Sequence, residues 1–160
     1  MKSLQDLFLH MLQDVYHAEK QAIRAYPKMV KSVQNPELKK ALEQHREETL
    51  GQVERLEQIF ETLDRRARGE PCEAMQSLIE EGREILEEAE DENVKDAGVI
   101  AAAQAIEHYE IARYGTLRAW AEELGMKDAA RLLQQTLDEE KKTDELLNKL
   151  ALARVNKSAA

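Results

Sequence analysis

Sharp turns are scarce in this chain. Three prolines and six glycines among 160 residues leave few places for the tight hairpins on which sandwiches and barrels depend. A single cysteine, Cys72, excludes an intrachain disulfide and suits a reducing compartment. No run approaches the roughly 20 apolar residues of a membrane span. At the amino terminus Lys2, Asp6, His10 and Asp14 interrupt the apolar residues, so the core of a signal peptide is missing. Positive charge is also short, and the net charge of −9 argues against nucleic acid as the main partner, since phosphate repels such a surface. No Gly-rich phosphate loop or serine-hydrolase motif occurs. These absences predict a cytoplasmic protein whose partners include neither membrane nor nucleic acid.

What is present is Ala, Leu, Glu, Gln and Lys, all good helix formers, which predicts an all-α fold. The length suits one domain with a substantial core, placed at residues 1–154, with 155–160 expected as a frayed tail.

Ser3 with Asp6 reads as a helix start. Phe8, Leu12, Val15, Glu19, Ala22, Ile23 and Tyr26 then share one face, and Pro27 is expected to kink or end that helix. Asn35-Pro36 opens a second helix that carries Leu38, Ala41, His45, Glu48, Gln52, Leu56, Ile59 and Leu63 inward. Residues 64–95 read as a long crossover with one short helix, the arrangement that separates ferritin-like bundles from simple up-and-down ones. A third long helix is expected from near Asp96 to Gly125. A fourth, from Asp128, carries Ala129, Leu133, Leu137, Glu140, Asp144, Leu147 and Ala151 on one side.

The anomaly is acidic. Ile100, Ala103, Glu107, Glu110, Tyr114, Leu117 and Ala121 recur at steps of three and four, so two glutamates sit on an otherwise apolar face. Glu19, Glu48 and Glu140 repeat this on the other three helices. Glu19 and Glu48 are 29 residues apart across one turn, and Glu110 and Glu140 are 30 apart across the other, which puts each pair at nearly one height in an antiparallel hairpin. Burying one unpaired carboxylate costs several kcal/mol, so a ring of them would offset much of a domain's stability of roughly 5–15 kcal/mol. Lys20, Arg46, Arg113, Lys141 and Lys142 project sideways or outward. Arg118 lies near the inward face but about 12 Å beyond Glu110 along the axis.

Metal is the better neutraliser, and oxygen ligation with an imidazole suits iron or manganese better than zinc. The candidate ligands are Glu19, His45, Glu48, Glu107, Glu110 and Glu140, arranged for two ions per chain. Glu19 and Glu107 would be terminal ligands and Glu48 and Glu140 bridging or near-bridging ones, with Glu110 and His45 completing the shell. Tyr16 and Tyr114 would flank the site. Asp144 reads as a solvated acid and His17 and His108 as surface histidines, while His10 has no role. Cys72 is too far from any base to be a nucleophile. A metal-free bundle with exposed acids stays open if the helix faces are rotated by about a third of a turn.

At these residues the chain resembles the YciE/YciF family of bacterial stress-associated, ferritin-like proteins. The matching strings are Leu-Gln-Asp-Leu-Phe near the start and Glu-Glu-Thr-Leu-Gly-Gln-Val-Glu-Arg-Leu-Glu in the second helix. In the third they are Glu-His-Tyr-Glu-Ile-Ala and Tyr-Gly-Thr-Leu, and in the fourth Gln-Gln-Thr-Leu-Asp-Glu-Glu-Lys. The resemblance spans about Ser3 to Ala151. It implies a ferritin-like bundle, a homodimer or higher homo-oligomer, and a di-iron site without a defined reaction. The Glu-x-x-Glu of the third helix is also similar to rubrerythrin-type sites, although no cysteine set for a rubredoxin-like centre exists. The expected function is Fe(II) oxidation or peroxide reduction at a di-metal carboxylate site in a stress response. The alternative is a non-catalytic assembly or binding protein with a structural metal or none.

Overall fold

Ser3 Oγ accepts the Asp6 amide and starts α1, Leu4–Ser32. Asn35 Oδ1 accepts the amides of Glu37 and Leu38, with Pro36 at the first position of α2, Pro36–Thr62; proline is tolerated there because that N–H has no partner in the helix. Cys72 caps α3, Glu73–Glu88. Asp91 caps α4, Glu92–Glu123. Gly125, at φ 71°, makes the turn into α5, Lys127–Leu150. The computed structural model describes residues 1–160 and is all-α. No helix is long and apolar enough to cross a membrane.

Four of these helices close a ring, α1 packing on α2 and α4, and α5 on α2 and α4. Side-chain pairs fix the directions. Tyr16–Glu57 and Tyr26–His45 run α1 antiparallel to α2. Glu19–Tyr114 and Tyr26–Glu107 do the same for α1 and α4. Arg55–Thr136 and His45–Thr143 set α2 antiparallel to α5. Helices α2 and α4 are therefore parallel, so the segment joining them must travel the length of the bundle. That segment is the crossover expected from the sequence, and its α3 lies against α1 and α4.

Three details sharpen or correct the expectation. Of the two outcomes expected at Pro27, a kink or an end, the end does not occur, and α1 runs on to Ser32. Loss of one backbone bond and the ring clash cost about 3 kcal/mol, and the buried Met29 and Val33 beyond it offset this at about 1.5–3 kcal/mol each. The tail does not fray at Val155. A π turn over Ala151–Val155 leads into a last helical turn, Asn156–Ala159 (α6), and Val155 is buried with Leu147 and Ala151. Steps of four drift by about 40° each on an α-helix; the wider π turn brings Val155 back to that face. Finally, α4 starts at Glu92, ahead of Asp96.

Asp96 is instead buried one turn into α4, where its two oxygens accept the amides of Gln34 and Asn35 at 2.8 Å each. It satisfies the α1–α2 turn from another helix. Replacing Asp96 with Ala should cost about 2 kcal/mol, because two charge-assisted bonds are lost together. Urea unfolding, with a lower midpoint and an unchanged slope, checks this.

The apolar core is divided. Phe8, Leu12, Leu56, Leu117 and Leu133 pack one end of the bundle. Tyr26, Leu38, Leu42, Ile100 and Leu147 pack the other. Polar side chains fill the level between them.

Candidate metal centre

Helix α4 turns inward the face read from its spacing: Ile100, Ala103, Glu107, Glu110, Tyr114, Leu117 and Ala121 are all buried. His45, Glu107, Glu110 and Glu140 each offer one ligand atom within 4.8 Å of the others. None is more than 2% exposed, and Glu19 is fully buried beside them. The structure thus gathers five of the six predicted ligands at mid-bundle, four in one cluster and Glu19 next to it.

Glu48 stands apart. Its side chain is 25% exposed, with Oε2 3.7 Å from His45 Nδ1 and Oε1 accepting from Gln44 at the surface. The inward stripe of α2 runs His45, Thr49, Gln52, Leu56. Steps of three and four pass through either Glu48 or Thr49, and the phase of the helix selects Thr49.

His45 is held from both sides. Nδ1 lies 3.0 Å from Thr143 Oγ1, and the ring meets Tyr26 edge-on at 5.2 Å. Nε2 stands 3.0 Å from Glu107 Oε1 and 3.7 Å from Glu140 Oε2, yet without the alignment of a hydrogen bond. Once His45 is neutral, an Nδ1–H bond to Thr143 would orient the ring and leave the Nε2 lone pair toward the carboxylates, as a ligating histidine requires.

Two tyrosines donate to the ring. Tyr114 Oη donates to Glu19 Oε1, and Tyr26 Oη donates to Glu107 Oε1 at 3.1 Å. Tyr26 was legible as a core position but not as a partner of Glu107, since nothing in α1 alone reports what faces it. Tyr16 instead donates to Glu57, away from the ring. Asp144 is also outside, bonded to Gln104 and His108. His17 accepts the Cys72 amide and pins the crossover; His10 and His108 are exposed. Cys72 is buried against Tyr109 Oη.

Burial pushes Glu19 up to about 7 despite the Tyr114 bond. Burial and then neighbouring carboxylates push Glu110 and Glu140 well above the usual range. Burial also opposes charge on His45, but Glu107 outweighs it and holds the imidazole up to about 10. Glu107 is shifted the other way: against burial, the His45 charge and the Tyr26 hydroxyl keep it ionised. Glu48 is likewise held down, by His45 beside it. Without metal the ring therefore favours one imidazolium–carboxylate pair among acids pushed toward their protonated form.

That resting state leaves Glu19 Oε2, Glu107 Oε2, Glu110 Oε1, both oxygens of Glu140 and His45 Nε2 buried with no hydrogen-bond partner. Each such group costs about 1–3 kcal/mol. The unpaired atoms are all potential metal donors and they converge, so the residues present fit a bound metal. Five oxygens and one nitrogen form a hard donor set, better matched to hard or borderline cations than to soft ones.

Fold and centre together define a ferritin-like helical bundle with a carboxylate-rich site able to hold a metal ion. The chain belongs to the family described as Domain of unknown function (DUF892), whose profile matches residues 3–160. It is 49% identical to Protein YciF of Escherichia coli (strain K12) over 160 residues, 99% of this chain and 96% of that protein. The crystal structure of the E. coli stress protein YciF superposes with a TM-score of 0.93 at 49% identity, covering 98% of this chain and 99% of that one. YcfI of Rhodopseudomonas palustris, for which a structural role has been suggested, gives 0.90 at 48% identity, covering 92% and 94%.

Proposed function

We propose that the ring holds two divalent metal ions per chain, iron or else manganese, and that the loaded centre oxidises Fe(II) or reduces peroxide in a stress response. The observation that carries this reading is charge. Glu19, Glu107, Glu110 and Glu140 are buried together, and in the deprotonated form that metals require they bring four negative charges. His45 is neutral as a ligand, so two divalent ions balance the set where one does not. The stress role follows the E. coli relative.

Redox-active metals bound here supply electrons to an oxidant. The chain's own residues do the rest. Tyr26 and Tyr114, whose hydroxyls burial holds well above their usual range, stay protonated and steady Glu107 and Glu19. The apolar packing at both ends keeps bulk water out. Glu110 and Glu140, with three unpaired oxygens between them, are the carboxylates freest to change their mode of coordination.

Sustained consumption of peroxide or dioxygen with excess Fe(II), over many equivalents per chain, is the expected result. A single stoichiometric burst would favour the non-catalytic reading, in which the metal only holds the bundle together, a role in keeping with the one suggested for the Rhodopseudomonas protein.

A further inference from the structure

The ring is sealed: His45, Glu107, Glu110 and Glu140 are at most 2% exposed. A hydrated cation sheds its water only where other oxygens replace it, so it needs a polar way in. Both ends of the bundle are closed by the apolar clusters. Under α3 the flank is Ala18, Cys72, Met75 and Ile106. The α4–α5 seam carries Asp144, but Gln104 and His108 both hold its Oδ1, and none of the three keeps an unpaired buried atom.

The seam between α2 and α5 is different, being polar from surface to ring. At its mouth Glu48 has one oxygen toward solvent, on Gln44, and the other 3.7 Å from His45. Arg55 grips Glu139 with both terminal nitrogens, at 2.8 and 2.5 Å, and reaches Thr136 Oγ1 at 2.8 Å. Glu139 and Arg55 are 24% and 14% exposed, and Glu139 directly precedes the ligand Glu140. One helical turn on from Glu48 along α2 is Gln52, fully buried, with Nε2 on Glu139 at 3.2 Å and Oε1 without any partner. An unpaired amide oxygen at that depth is a cation's acceptor with nothing else to accept.

We propose that divalent cations reach the centre through the α2–α5 seam, received by Glu48 and passed inward by Gln52 Oε1, with the Arg55–Glu139 pair as the latch. This inference rests on the metal reading and adds its route. Closed, the latch sets a guanidinium in the seam and occupies Glu139. Opened, it withdraws the positive charge and frees Glu139 and Gln52 together. The pair is bidentate and mostly buried, so its opening is the step that limits how fast a cation enters. Glu48 thereby has a role that explains an acid beside the ring but outside it.

The test is stopped-flow loading of the full-length, metal-free chain with Co(II), followed by its visible absorption, at low ionic strength. Glu48→Gln should load about tenfold more slowly, the effect of removing one steering charge. Arg55→Gln should load severalfold faster. In both, the dissociation constant should stay within about twofold of wild type, because a route speeds or slows release in the same proportion. Wild-type loading rates in both variants would overturn the proposal. Weaker binding by Glu48→Gln with release alone accelerated would also overturn it, making Glu48 a resident ligand. A wild-type chain that takes up no Co(II) would remove the metal reading, and the route with it.

Discussion

Glu110→Leu should make the metal-free protein harder to unfold while abolishing its capacity for a full metal complement. Glu110 is buried with Oε1 unpaired and its carboxyl forced toward the protonated form. Leucine has similar volume and comparable helix propensity, and removing a buried polar group that has no partner recovers about 1–3 kcal/mol. For a chain of this size that raises the melting temperature by about 5 °C. An ordinary core substitution goes the other way. Thermal melts of chelator-treated protein, with metal analysis of reloaded samples, check both halves. A variant that melts lower and still loads fully would make Glu110 a packing residue.

The second large effect is in pH. Glu19 has a folded value of about 7 against an ordinary 4.5, Glu110 and Glu140 are raised well above their ordinary range, and His45 is raised from 6.5 to about 10. All four bind protons more tightly when folded, so stability falls as pH rises. For the acids the gain is complete below about 4.5 and is lost through the raised values; for His45 it is complete below about 6.5 and is lost toward about 10. Glu48 and Glu107 are depressed and work in the opposite sense, but only below the ordinary carboxylate range. Between about pH 8 and about pH 5 the metal-free protein should therefore grow more stable, Glu19 alone contributing about 3 kcal/mol. Metal reverses the slope, because it needs the deprotonated ligands and is expelled by acid. Melting curves of free and loaded protein should cross; parallel trends would show that the acids do not share one desolvated volume.

Much of this was readable before any coordinates. Glu107 and Glu110 stand on α4 among residues that fit only a buried stripe, so their direction was determined by their neighbours. Glu140 and Glu19 followed for the same reason. Glu48 did not, because on α2 a three-residue and a four-residue step both keep period, and only packing against α5 chooses between Glu48 and Thr49. Tyr26, Thr143 and Gln52 needed the bundle: each acts on a residue of another helix, and one helix's periodicity says which face is inward but not what it meets. Asp96 was missed similarly, since it caps a turn more than sixty residues away in sequence. Val155 was hidden by a π turn, which α-helical spacing does not anticipate.

In the metal-bound state we propose, buried His45, Glu107, Glu110, Glu140 and Glu19 are the ligands. Anomalous scattering from crystals grown with Mn(II), together with elemental analysis of protein purified without chelator, tests that assignment most directly. Two peaks per chain among these five side chains, with about two equivalents of metal in solution, are the predicted result. Protein that is metal-free as purified, refuses Mn(II) and Fe(II), and shows no peak at mid-bundle would contradict it.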